Sequence, residues 1–144
     1  MNLTEFLTGP APPTIPSEPV NLAIALLAPE GLRPFIVNWQ EVALHLIRSV
    51  QADAHADGLP ETADLLKRLL EFPDVSALSE PTMPEESQSP VLPIHFGRNG
   101  TSLRLFTTIA TLGTPRDVTL EEIRIEFFFP MDESTAQAFT NWVK

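Results

Sequence analysis

With no cysteine in the chain, any chemistry must come from three histidines, the carboxylates and the serines. The most regular spacing is Asp53, His55, Asp57 and Gly58. It matches the opening of a loop that wraps oxygens around calcium, with carboxylates at positions 1 and 5 and Gly at 6. The match then fails: imidazole suits a hard cation poorly, Pro60 stands at position 8, and Asp64 replaces the longer bidentate Glu at position 12. A solvated helix end is the better reading. His45, His55 and His95 lack a close ligand spacing such as H-x-x-x-H, so no metal is expected. His95 alternates with Ile94 and Phe96, which turns it away from the apolar side of a strand, and no partner for general-base work is identifiable. Ser49, Ser76 and Ser102 lack a G-x-S-x-G context, and Gly97, Gly100 and Gly113 read as turn glycines rather than a phosphate cradle. Glu121, Glu122 and Glu126 are placed for surface ion pairs with Arg104 and Arg124. Nothing here reads as an enzyme, and no cofactor is expected.

The elements that would carry these residues follow from hydrophobic spacing and proline. Five prolines fall at 10, 12, 13, 16 and 19, and five more at 73, 81, 84, 90 and 93, marking two non-helical connectors. Residues 1–19 are a proline-rich lead-in, and 79–90 (SEPTMPEESQSP) form a flexible acidic loop within one domain spanning 1–144. Between the connectors, Asn21 caps a short helix to Ala28, and Asn38 is placed to cap a long one. The long helix buries Trp39, Val42, Ala43, Leu46, Ile47 and Val50 at the i, i+3, i+4, i+7 spacing. Gly58 ends it, and Pro60 opens a helix faced by Leu65, Leu66, Leu69 and Leu70.

Beyond residue 90 the period changes to two. Asn99-Gly100 predicts a two-residue hairpin pairing Arg98 with Thr101, Phe96 with Leu103, Ile94 with Leu105 and Leu92 with Thr107. A third strand is expected to turn Ile123, Ile125, Phe127 and Phe129 inward and Glu122, Arg124, Glu126 and Phe128 outward. Pro130 ends it, and Asp132 caps a last helix carrying Phe139, Trp142 and Val143. Phe106 and Phe128 then face away from the core, where loops, the last helix or a partner would cover them. The plan is an α+β fold: a three-strand antiparallel meander in the C-terminal half, flanked by N-terminal helices and a C-terminal helix.

The 144 residues suffice for one core, hiding roughly two-thirds of the unfolded surface. Nine Lys and Arg against 19 Asp and Glu give a net charge of −10, the wrong sign for a phosphate backbone, so direct nucleic-acid binding is not expected. There is no run of about 18 apolar residues and no basic, apolar leader, so the expectation is a cytoplasmic chain without a membrane partner. What remains is an apolar sheet face under helices. Leu26, Phe35, Trp39, Val42, Leu46, Leu105, Ile125 and Phe127 would converge there, either as filled core or as the lining of a pocket for a small apolar ligand.

The stretches RPFIVNWQEVA, Arg33 to Ala43, and LRLFTTIATLGTPRDVTLEEIRIEFFFPMDE, Leu103 to Glu133, add a further reading. The chain resembles the C-terminal ligand-binding domain of MmyB-like bacterial transcription regulators of the helix-turn-helix XRE type. The likeness runs from about Asn21 to Trp142, marked best by Asn38-Trp39 and by Leu112 to Pro115. It implies a PAS-like sheet flanked by helices, effector sensing rather than catalysis, and a fatty-acid-like ligand. Family members carry an N-terminal DNA-binding domain, and a chain starting at Met1 would lack it. Their sheet also begins with two strands before the helix to which Asn2 to Leu7 corresponds. Without those strands, Ile123 to Phe129 would be a bare apolar edge, and the expectation is a homodimer, or a truncated product of a sequence that starts upstream. A dimerisation module with a filled core is the alternative, and a ketosteroid-isomerase-like enzyme a distant third.

Overall fold

The computed structural model describes residues 6, 21–78, 91–112 and 123–143. The proline-rich lead-in and the acidic segment 79–90 lie outside these, as do residues 113–122, Glu121 and Glu122 among them. The helical half holds α1 (Leu22–Leu27), a 3-10 turn (Arg33–Phe35), α2 (Trp39–Asp57), α3 (Pro60–Leu70) and α4 (Val75–Leu78). The sheet half holds β1 (Leu92–Arg98), β2 (Thr101–Leu112), β3 (Ile123–Pro130) and then α5 (Glu133–Val143). The architecture is α+β, with a three-strand antiparallel sheet in the order β1-β2-β3.

Local chemistry explains most boundaries. Asn21 Oδ1 accepts from the Ile24 N–H at 3.2 Å and starts α1. Gly58, at φ 63°, closes α2 in the left-handed conformation that glycine adopts without a Cβ penalty. Asp57 then braces the start of the next helix, its carboxylate accepting from the Leu59 N–H at 2.8 Å and the Thr62 hydroxyl at 2.7 Å. Residues 53–57 are therefore continuous helix and not a calcium loop, with Asp57 engaged in starting α3. Asp132 Oδ1 accepts from the Thr135 N–H at 2.8 Å at the head of α5.

The β1–β2 hairpin has the register expected from Asn99-Gly100, both in positive-φ conformations, with Phe96 across from Leu103 and Ile94 across from Leu105. Ile36 bridges Phe96, and the Val37 N–H donates to the His95 carbonyl at 2.7 Å, so a fragment of chain lines the far side of β1.

The third strand differs from expectation. Phe129 pairs with Phe106, Phe127 with Thr108 and Phe128 with Thr107. Paired residues share a face, so Phe127 and Phe129 lie on the side away from buried Leu103 and Leu105, and Phe128 lies on theirs. Strict alternation fixes which residues keep company but not which layer they enter, whereas Asn99-Gly100 pins the register of β2 on β1 by its own turn. Phe106 and Phe129 stack at 5.0 Å and Phe127 and Phe129 at 6.2 Å, an outer aromatic group exposed by about two-fifths at Phe127 and Phe129.

Candidate functional site

Six of the eight residues expected to converge do so. Leu26, Val42 and Leu105 are buried in one apolar cluster with Phe6, Ile36, Leu92, Ile94, Phe96 and Leu103, and Phe35, Trp39 and Leu46 pack against it. Helix α5 closes the cluster with Phe139 and Trp142, the latter stacked on Phe6 at 6.1 Å. A second cluster lies between α2, α3 and α4, built on Leu27, Ala43, Ile47, Val50, Leu69 and Val75. Trp39 and Leu46 touch both, so α2 is a wall shared by two cores. Phe127 lies on the opposite face of the sheet, and the side chain of Ile125 is outside the described residues.

The first turn of α2 is held from three sides. Asn38 makes no capping bond to its helix. Its Nδ2 donates to Glu41 Oε2 at 2.9 Å and to the Pro93 carbonyl at 3.0 Å, while its Oδ1 accepts from the His95 N–H at 2.9 Å. This corrects the capping role expected for it. An amide carries a donor and an acceptor side by side, so it satisfies the peptide edge of β1 better than the helix end does. Upstream, Gly31 lets the chain turn back on α1: its N–H donates to the Ala28 carbonyl at 2.9 Å, and the Leu32 N–H donates to the Ala25 carbonyl at 2.7 Å. Pro34 then suits the start of the 3-10 turn that delivers Phe35 to the core.

These segments frame an open, largely apolar groove of about 420 Å³, lined by Pro29, Arg33, Pro34, Trp39 and Pro73. Arg33 crosses it. Its guanidinium carbon lies 3.6 Å from the centre of the Trp39 ring. Nη1 donates to the Pro73 carbonyl at 2.8 Å, and Nη2 pairs with Asp74 Oδ2 at 3.0 Å. The Trp39 Nε1 donor is buried and has no hydrogen-bond partner. Trp39 alone among the groove residues was expected from sequence. Arg33 and Pro73 are 40 positions apart, and no period or turn signal indicates that they meet.

The sheet surface offers less. His95 Nε2 is 2.7 Å from Ser102 Oγ on an exposed face, the single contact expected of a solvated strand histidine. On α2, burial lowers the pKa of His45 from 6.5, opposed in part by Glu41. Among the described residues no group of three His, Asp or Glu side chains could hold a metal ion. Nor is any described helix long and apolar enough to cross a membrane.

The model of the MmyB-like transcription regulator ligand-binding domain matches residues 2–141 of this chain. The chain belongs to that family. No curated protein and no solved structure matches it. As a member of the MmyB-like family the chain is a regulatory ligand-binding domain of the transcription-regulator kind. In this MmyB-like domain the RPF and NW residues of the resemblance build the 3-10 turn and the helix start that frame the groove.

Proposed function

We propose that this MmyB-like domain is the effector sensor of a bacterial transcription regulator, acting in the cytoplasm on a small apolar or amphipathic molecule of fatty-acid-like character. The observation that carries the reading is the gathering of Leu26, Phe35, Trp39, Val42, Leu46 and Leu105 into one apolar cluster that reaches the surface at Trp39, beside the groove. Apolar surface with a few polar groups at its mouth is the usual composition of a small-molecule site. Occupancy there would shift α2, which both cores share, and an attached DNA-binding domain would read that shift. Native mass spectrometry of the purified chain, followed by denaturing lipid extraction, tests the reading. A stoichiometric added mass that extracts as an acyl lipid is expected. A clean mass that stays clean after incubation with fatty acids refutes it.

The second reading, a dimerisation module with a filled core, is favoured by the low exposure of the cluster, whose innermost residues are no more than 6% exposed. Both readings include a homodimer. Its support is β3, which pairs with β2 along one edge and carries no strand on the other among the described residues.

A further inference from the structure

We infer that Phe6 is a built-in plug of the apolar cluster, and that an effector enters the cluster only as Phe6 leaves it. The inference rests on the sensor reading above and adds the element of this chain that regulates the site.

Phe6 is separated from Asn21, the cap of α1, by 14 residues, five of them proline. Its side chain nevertheless belongs to the same cluster as Leu26, Phe35, Trp39 and Leu105, only 3% exposed and stacked on Trp142 of α5. Its carbonyl accepts from Arg98 Nη1 at 2.8 Å. The hairpin sets Arg98 for this task. As the last residue of β1, two positions past Phe96, it lies on the apolar face of the sheet, at its margin. A cation there needs an oxygen for its N–H groups and a flat partner for its face. The Phe6 carbonyl supplies the first, and the Phe35 ring, its centre 4.7 Å from the guanidinium carbon, supplies the second. One guanidinium therefore joins the seat of Phe6 to the 3-10 turn.

With Phe6 in place the cluster is full. Its innermost residues are no more than 6% exposed, and an interior at native packing density has no room for a further apolar molecule. Some member must leave. Leu26 and Val42 sit in helices, and Ile94, Phe96, Leu103 and Leu105 in paired strands, so moving any of them disturbs a hydrogen-bonded ladder. Phe6 is joined to the rest, beyond apolar packing, by one ring stack and one hydrogen bond from Arg98. Five of the next 14 residues have no N–H with which to anchor the segment to helix or sheet. A tether of that length also keeps a released Phe6 at high effective concentration, so it returns to its seat once the effector has gone.

The test follows the full chain with chymotrypsin and with dodecanoate held below its micellar concentration. Chymotrypsin cuts after Phe6 only when the ring has left the cluster, so the rate at which residues 1–6 are lost, read by mass spectrometry, reports the open fraction. Saturating dodecanoate should raise that rate by about 10-fold or more. Arg98→Met loses one charge-assisted hydrogen bond and should raise the rate roughly 10-fold without ligand, with dodecanoate bound more tightly by a similar factor. Phe6→Ala removes the plug and should bind dodecanoate at least about 10-fold more tightly than wild type. Arg98→Met leaves the apolar side chains intact and answers the same question if Phe6→Ala does not fold. Dodecanoate that binds while the rate at Phe6 holds or falls overturns the inference and leaves the sensor reading standing. Equal dodecanoate affinity in wild type and both variants does the same. If dodecanoate binds none of the three proteins, the sensor reading and the inference fall together.

Discussion

Replacing Gly31 with alanine puts the turn that frames the groove to a quantitative test. An added Cβ would lie 2.4 Å from the Ala25 carbonyl oxygen, 3.2 Å from its carbon and 3.3 Å from the Ala28 oxygen. Real Cβ atoms essentially never come within 3.0 Å of such an atom, so the turn and α1 must part by at least the difference. The obstacle is backbone, which cannot rotate aside as a side chain would. The same carbonyl accepts from Leu32 at 2.7 Å, and parting the segments stretches that bond. Losing it costs about 1 kcal/mol, and displacing α1, whose Leu26 and Leu27 are buried in different cores, adds a similar amount or more. The sum is about 2–3 kcal/mol, or a drop of roughly 6–12 °C in Tm for a chain of this size. Gly58→Ala is the control, with nothing within 4 Å of its Cβ and only the φ of 63° to oppose it, worth about 1–2 kcal/mol. Thermal unfolding by circular dichroism compares the two. A Gly31→Ala Tm equal to or above that of Gly58→Ala refutes the argument from close approach.

Three further outcomes are expected. Leu105→Ala empties space at a residue with no exposed surface and should cost about 2–5 kcal/mol in denaturant unfolding if the cluster cannot collapse around it. The Asp132 carboxylate is held below its ordinary value of 3.8 by the hydroxyl and N–H of Thr135 and by Ser134. A depressed acid stabilises the folded chain above its unfolded value and loses that effect as pH falls through the folded one. Asp132→Asn should therefore lower Tm at pH 7, with the difference from wild type closing below about pH 4 in a pH series. Phe129→Glu puts a charge beside Phe106 on β3 and should turn the proposed dimer into a monomer by sedimentation, with the far-ultraviolet spectrum unchanged.

The parts of this fold that were legible in the sequence are those set by neighbours in the chain. Asn21, Gly58, Pro60 and Asp132 mark helix ends through contacts within a few residues, and Asn99-Gly100 fixes a register by its own backbone twist. The facing of β3 was not legible, because both layers of the sheet take aromatic residues and alternation alone does not choose between them. Nor was the use of Asn38, since a cap and a link to β1 both call for the same side chain. Helix and strand periods place six of the apolar residues in one packed cluster. The cation and the proline walls escaped notice because their meeting depends on how α3 lies against the 3-10 turn. Periodicity in one strand or helix carries no such information.

Ile36, Val37 and Asn38 occupy the outer margin of β1, where the main chain and an amide side chain take up the peptide groups of residues 93 and 95. A sheet with both margins open can add strands at either side without limit, the arithmetic of a fibre. With one margin occupied, growth through the other stops after a single addition, because two such sheets joined along β3 leave only their sealed sides outward. The short segment between the 3-10 turn and α2 thus sets the stoichiometry of any strand-mediated assembly at two.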